Sequence, residues 1–393
     1  MASPLQTANP QRGNVARRPQ TTAKRGSFLE STAKYVMNMY DTAGISMSTP
    51  VVNFPLKAVP GYISRFIVTI TASGGAAGTA TVVAAQTDAP DSAVNLIRLY
   101  DASGYGIYAA DGFGARLITL YGAQSGPPGR DTHSRPSFSA IATGAGSSGN
   151  FRLTYEIPLE LGSGYGCIAG SNQSRIPSLQ IFLNPSTSVY STAPGTLPTY
   201  EVRVDAEFYG APLDDPSKAP PGNGSSVQWS FAAAANTITS GGNQSLIVPA
   251  PNLTGYLGTL IGCSRNSSNA REDGFLTGTT DFELWVDQQL RMQETYTQVQ
   301  DRHALAWGLS LGNPTGAVTR PVGSFAYSFR DSVYPKGEVG LDNLALWEPT
   351  DTGTLVEVRS GGWGTITSGP DTVTFYTQRL YPAGEVPYGP EFE

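Results

Sequence analysis

The strongest constraint on this chain is alternation. At 200–208, Tyr200, Val202, Val204, Ala206 and Phe208 face one way, and Glu201, Arg203, Asp205 and Glu207 the other. A period of two is that of a strand with one face in a core and one against water or a neighbour. The period recurs where Phe66, Val68 and Ile70 alternate with Arg65, Ile67 and Thr69. It recurs again where Phe151, Leu153, Tyr155 and Ile157 alternate with Arg152, Thr154 and Glu156. Further strands are predicted at 255–261, 281–287, 325–330, 343–347, 354–359 and 371–381. Many short strands separated by turn signals specify sandwiches or barrels. Composition agrees: 45 Gly and 29 Pro stand among 393 residues, and only 14% of the chain is charged. An average protein is roughly 25% charged, and a helical bundle needs more Ala, Glu, Lys and Leu. Apolar residues at 39% exclude general disorder, and the glycines have no collagen period.

A Pro- and Gly-rich connection, GAPLDDPSKAPPGNGSS, begins at 210 and divides the body into two halves of sandwich size. The expected division is an arm with a short helix at 1–45, a first sandwich at 46–212, a linker at 213–226 and a second sandwich at 227–393. Two segments break the β period. YAADGFGARLITLY at 108–121 is predicted helical although Gly112 and Gly114 each cost about 1 kcal/mol in a helix interior. LRMQETYTQVQDRHALAW at 290–307 places Met292, Tyr296, Val299, His303 and Ala306 at helical spacing. The Gly/Ser/Pro-rich stretches 122–149 and 264–280 read as exposed loops.

The halves repeat each other. Leu99-Tyr-Asp101 matches Trp285-Val-Asp287, and RLITLYG at 116–122 matches RHALAWG at 302–308, both at an offset of 186. After each helix come a long loop and a strand, NFRLTYEIPLELGSGYG at 150–166 and SFAYSFRDSVYPKGEVG at 324–340. Shared order is the signature of duplicated architecture. Two copies of one β-sandwich are expected, each with a helix in the same connection.

Charge is uneven. Residues 1–36 hold Arg12, Arg17, Arg18, Lys24, Arg25 and Lys34 against Glu30 alone, although the whole chain is at −6. Residues 1–27 read as a flexible polar arm. Phe28, Leu29, Tyr35, Val36, Met39 and Tyr40 then give about three turns of helical spacing. The basic residues suit phosphate, anionic lipid or an acidic neighbour. Residues 1–30 lack the apolar run of a signal peptide, and no stretch reaches 18 apolar residues. Synthesis in a cytoplasm is expected. Only Cys167 and Cys263 occur, too few for a disulfide scaffold.

Several stretches carry a resemblance: VVNFPLKAVPGYISRFIVTITA at 51–72, NLIRLYDASG at 95–104, FRLTYEIPLE at 151–160 and VYPKG at 333–337. In order and spacing over most of 28–385 the chain resembles the double jelly-roll major capsid proteins of tectivirus-type phages, which carry a membrane inside an icosahedral shell. The resemblance implies an all-β fold of two tandem eight-stranded jelly rolls, each with a helix in one long connection, after an N-terminal arm with a short helix. It implies a structural protein and not an enzyme. Three chains would form a pseudo-hexagonal trimer that tiles the virion capsid around an internal membrane and genome. Its partners would be copies of itself, neighbouring capsomers, and penton and membrane-associated proteins, with no sequence-specific nucleic-acid binding. Arg12, Arg17, Arg18, Lys24, Arg25 and Lys34 would meet membrane, genome or a neighbouring subunit. One end of the sandwiches would hold the termini and the other the long loops.

Other chemistries find less support in the residues. His133 and His303 are the only histidines, and His303 reads as a helix residue packed on its sandwich. No zinc or EF-hand pattern occurs, no cofactor is implied, and Glu272-Asp273-Gly274 reads as a solvated turn. Gly144-Ala-Gly-Ser-Ser-Gly149 leads into a strand, whereas a phosphate-binding turn must open a helix. Asp281 and Glu283 share a strand face with Trp285, and Asp214 and Asp215 lie in the linker. A glycosidase needs two carboxyls across a cleft, so a subunit contact is preferred. The alternative is a two-sandwich phage adhesin that binds glycan through 122–149 or 264–280, and after it a polysaccharide-active enzyme.

Overall fold

A computed structural model describes residues 28–48, 51–79, 82–122, 137–139, 148–161, 164–170, 176–212, 219–220, 226–234, 236–239, 244–249, 255–273, 281–307, 321–329, 348–350, 353–360, 366 and 369–381. In the first half the main strands are β1 (Lys34–Ser46), β2 (Val51–Pro55), β3 (Gly61–Ser73), β4 (Val94–Tyr100), β5 (Gly106–Ala110), β6 (Phe151–Pro158), β7 (Ser178–Leu183) and β8 (Thr199–Gly210). In the second they are β9 (Ser226–Ala233), β10 (Gln244–Val248), β11 (Gly255–Arg265), β12 (Phe282–Val286), β13 (Gln289–Glu294), β14 (Ser324–Ser328), β15 (Val356–Ser360) and β16 (Thr372–Tyr381). Helix α1 (Gly112–Gly122) follows β5, and α2 (Tyr296–Trp307) follows β13.

Three sheets carry the architecture. A six-stranded sheet has the order β1-β8-β3-β6, with short strands Ser137–Phe138 and Ile168–Ala169 added. A four-stranded sheet has the order β10-β15-β12-β13, and a nine-stranded sheet the order β14-β11-β16-β9-β5-β4-β7-β2, with Glu348–Thr350 beside β11. The order β1-β8-β3-β6 recurs as β9-β16-β11-β14, and β2-β7-β4-β5 recurs as β10-β15-β12-β13. The sequence repeat is therefore a repeat of topology: in each half a hairpin leads into the helix. A parallel bridge between Trp229 and Tyr108 joins β9 to β5 and makes the long sheet continuous across the halves.

Alternation places the core. One apolar cluster lies between the six-stranded sheet and β5-β4-β7-β2, with Phe66, Val68, Tyr155, Val202 and Ile181 buried. A second lies between the four-stranded sheet and β14-β11-β16-β9, with Leu246, Leu284, Val358, Phe325 and Phe375 buried. Each such side chain contributes about 1.5–3 kcal/mol over its exposed state. The clusters are not confined to their halves. Trp229, Ile261 and Tyr376 belong to the second half by sequence, and they pack into the first cluster beside α1.

Helix α1 has a physical reason for its glycines. A Cβ on Gly112 would stand 2.1 Å from the Asp91 carbonyl oxygen, and one on Gly114 2.0 Å from the Tyr376 ring. Close approach of the 91–94 backbone at Gly112 and of the second half at Gly114 makes these positions glycine, at some expense in helix propensity. Asp111 caps the helix by accepting the Gly114 N–H at 2.8 Å.

The structure revises three expectations. Residues 28–40 are not three turns of helix: a 3-10 turn covers Leu29–Ser31, and Lys34–Ser46 is strand β1, paired antiparallel with β8. A short apolar run fits either period, and here the open edge of β8 decides. The first sheet thus begins at 34, inside the segment assigned to the arm at 1–45. The helix expected over 290–307 starts at 296. Residues 289–294 pair with β12 through a turn in which Asp287 (φ 47°) and Gln288 (φ 64°) are left-handed. Thr295 and Gln298 form a capping box: Gln298 accepts the Thr295 N–H at 2.8 Å, and the Gln298 N–H reaches the Thr295 hydroxyl at 3.4 Å. The helix expected over 108–121 likewise begins late, because 106–110 is β5. The strand expected at 343–347 and most of the linker, 213–218 and 221–225, lie outside the described residues.

Strand register sorts the strand termini into two ends. Lys34 pairs with Tyr209, Gly61 with Gly210 and Ser226 with Tyr381. The start of β1, both borders of the inter-half connection and the end of β16 therefore lie at one end. Ser46 pairs with Thr199, Thr199 with Ser73 and Arg265 with Thr372, so the ends of β1, β3 and β11 and the starts of β8 and β16 lie at the other end.

Candidate assembly site

At the end that holds the start of β1, the chain is pinned where the arm leaves it. Phe28 is buried and packs edge-on against Tyr62 and Tyr209, with ring centroids 5.6 and 5.7 Å away. Lys34 lies 2.8 Å from Glu207 and 3.5 Å from Glu160, and sits over the Tyr209 ring. Arg65 bonds Glu207 and lies 2.9 Å from Glu156. Burial works to raise the Glu207 carboxyl, and Lys34 and Arg65 outweigh it, holding it below the usual range. Of the six basic residues singled out above, Lys34 is placed in this network. Arg12, Arg17, Arg18, Lys24 and Arg25 lie outside the described residues.

The two halves meet along a built interface. Trp307 donates its indole N–H to the Tyr121 carbonyl oxygen at 3.0 Å, and the rings pack edge to face at 5.2 Å. These residues are equivalents in the sequence repeat, 186 positions apart. His303 completes the cluster beside Tyr121, and its Nε2 accepts the Ala326 N–H at 3.0 Å. It is fully buried, as a packed helix residue should be. Tyr376 donates to Asp111 at 2.7 Å. Asp88 reaches from the first half and accepts from both Arg265 and Arg271, whose guanidinium groups lie over the Phe113 ring.

Beside this clamp is a cleft of about 430 Å³ bordered by Asp88, Asp91, Asn95, Phe113, Asn184 and Arg265. Its carboxylates are engaged. Asp91 accepts from Tyr155 and Arg116, both at 3.1 Å, and burial still pushes it up to about 6. Arg116 opposes that shift without cancelling it.

The remaining candidates are placed as follows. Glu283 accepts the Trp285 indole N–H at 2.7 Å, and Arg359 stacks over that ring at 4.7 Å. Asp281 accepts from Gln293 at 3.0 Å. Both acids are therefore engaged by neighbouring side chains, and Glu283 and Trp285 lie on the face of β12 opposite the buried Phe282, Leu284 and Val286. Asp273 accepts the Gly323 N–H at 2.7 Å and tethers a turn. Cys167 and Cys263 are free, buried and in different clusters, and burial raises both thiols, Cys263 to about 12. Among the described residues, no group of three His, Cys, Asp or Glu converges. No helix among them is long and apolar enough to cross a membrane. His133, Asp214, Asp215, Gly274 and Gly144–147 lie outside the described residues.

Sequence reading missed the Asp88–Arg265–Arg271 clamp. Its partners are 177 and 183 residues apart and form no motif. The Tyr121–Trp307 contact was latent in the repeat, whose matched aromatics turn out to touch.

No family model and no curated protein matches the chain. Solved structures do. A crystal structure of the STIV major capsid protein superposes with a TM-score of 0.57 at 12% identity, covering 90% of this chain and 98% of that one. The atomic structure of Sulfolobus Turreted Icosahedral Virus gives 0.57 at 15% identity, with 90% and 91% covered. A PBCV-1 virus capsid model gives 0.54 at 11% identity, with 89% and 93% covered. The strand order repeated across the halves, the helix after each hairpin and this near-complete coverage agree: the chain has the double jelly-roll fold of viral major capsid proteins.

Proposed function

We propose that this chain is the coat protein of an icosahedral virus. Three copies form a pseudo-hexagonal capsomer, and capsomers tile a shell around an internal membrane and the genome. One observation carries the reading: two copies of one jelly roll stand side by side in a single chain, fused through a continuous sheet. Three such chains supply six similar walls, enough for a closed ring with threefold symmetry. Nineteen Tyr and five Trp suit walls that must be apolar with a polar handle. In this reading the virion is the protein's location, other capsomers are its partners, and its role is structural.

The arm is assigned to the inner side. It leaves at Phe28, at the end opposite Ser46 and Ser73. Arg12, Arg17, Arg18, Lys24 and Arg25 meet anionic lipid, genome phosphate or a neighbouring capsomer, and Lys34 fixes the arm's base. Each contact is weak and salt-sensitive, and many copies in one shell make them effective together. Deletion of residues 1–27 is expected to leave the capsomer intact and to impair shell assembly. Electron microscopy of particles from the deletion checks this, and normal shells in normal yield would overturn the arm's assignment.

A further inference from the structure

The two jelly rolls leave unequal sheet edges. Strand β9 of the second lies parallel to β5 of the first, where Trp229 bridges Tyr108. By the repeat of topology, β9 is the equivalent of β1, and β5 is the equivalent of β13. Strand β1 ends the six-stranded sheet and β13 ends the four-stranded sheet. Among the described residues, no strand lies beside either edge. Strand β2 and its equivalent β10 are edges in both halves. By contrast, β1 and β13 are edges whose equivalents are joined to another jelly roll.

Burial records the difference. Where the junction is made within the chain, 226–229 and 107–110 are buried. At the start of β1, Tyr35 is 52% exposed and Val36 is 65% exposed. On β13, Leu290 is 43% exposed, and Gln289, Arg291 and Gln293 are exposed beside it. Open edges of this kind template pairing with another chain unless they are blunted or covered. Strand β1 contains no proline, and its one lysine, Lys34, is turned to Glu207 and Glu160. Its register shifts come after Asn38, so the stretch 34–38 is regular. From Asn38 onward its own jelly roll approaches the strand. The Asn38 carbonyl accepts from Lys57 at 3.4 Å, and Tyr40 packs edge-on against Phe54 of β2, with ring centroids 4.5 Å apart. The open stretch is thus short and apolar, and its length suits the short strand β13.

We propose that β1 of one copy adds in parallel to β13 of a second copy, and that the junction made inside the chain by β9 and β5 is thereby repeated between chains. The four-stranded sheet of one copy and the six-stranded sheet of the next become a single sheet, as the nine-stranded sheet already is. Backbone groups that the isolated fold leaves open are paired. A second copy is the partner because every chain carries one edge of each kind. The contact is heterologous, β1 against β13, so each copy uses both edges and the ring closes by rotation. This pairing rests on the trimer proposed for the capsomer, and it names the strands that hold that trimer.

Cysteine pairs test it. Neighbouring strands lie about 4.8 Å apart, within the reach of a disulfide. Tyr35→Cys or Val36→Cys is combined with Gln289→Cys, Leu290→Cys or Gln293→Cys in the full chain. All five positions are exposed, and together they sample both faces of the strand pair. After mild oxidation of the native protein, at least one combination is expected to shift from 41.4 kDa to about 124 kDa on a denaturing, non-reducing gel. Each single variant is expected to stay at 41.4 kDa, since Cys167 and Cys263 are buried. Light scattering on the same proteins separates this pairing from the capsomer reading. A native trimer that no combination crosslinks would overturn the pairing and leave the capsomer standing. A native monomer would overturn both. Crosslinking of a single variant would also overturn the pairing, because like edges would then meet.

Discussion

Trp229→Ala is expected to lower the stability of the chain by about 3–5 kcal/mol. Trp229 is fully buried, and its ring lies where a Cβ on Gly122 would be 2.5 Å from Cζ2. It stands on the first strand of the second jelly roll but packs in the core of the first. Its indole N–H has no partner among the described residues, so the effect comes from packing alone. The cavity would open at the one bridge that makes the nine-stranded sheet continuous. Denaturant titration of both proteins at one concentration measures the change, since association shifts apparent stability. A change below 1 kcal/mol would mean that the halves do not depend on this contact.

Asp88→Asn is expected to cost nearly as much, toward the lower end of about 3–5 kcal/mol. The Asp88 side chain is 6% exposed, and its removal as a charge leaves Arg265 and Arg271 covered but unpaired. Asparagine is the informative replacement because residue 88 has φ 63°, a conformation that most side chains resist. Alanine would add backbone strain to the loss of charge. The Lys34–Glu207 pair provides the contrast: Lys34 is 35% exposed, and solvent screens it. Unfolding curves for Asp88→Asn and wild type make the comparison, and equal midpoints would remove the clamp from the account.

The sequence revealed more of the sandwiches than of what joins them. Alternation at 200–208 is local, and β8 is where that period placed it. The repeat needed two distant stretches, yet it foretold hairpin-then-helix in both halves, because duplication preserves the order of elements. The resemblance to capsid proteins drew on the same order and spacing, and the superposition on two viral capsid structures agrees with the fold it implied. What failed was anything decided by a partner strand. Residues 28–40 have spacing that suits a helix, and pairing with β8 makes 34–46 a strand. Gly112 and Gly114 read as helix weakness, and the reason for them, Asp91 and Tyr376, is distant in sequence. The clamp was illegible for the same reason: Asp88, Arg265 and Arg271 belong to no motif, and only the fold assembles them.

The central claim is that the walls of this double jelly roll are obligate interfaces. Such interfaces are large and apolar, and they persist on dilution. Light scattering of the purified native protein, in line with size-exclusion chromatography, tests the claim most directly. Three copies of a 41.4 kDa chain give about 124 kDa. The account predicts a species of that mass at every concentration tested. A stable monomer would contradict it.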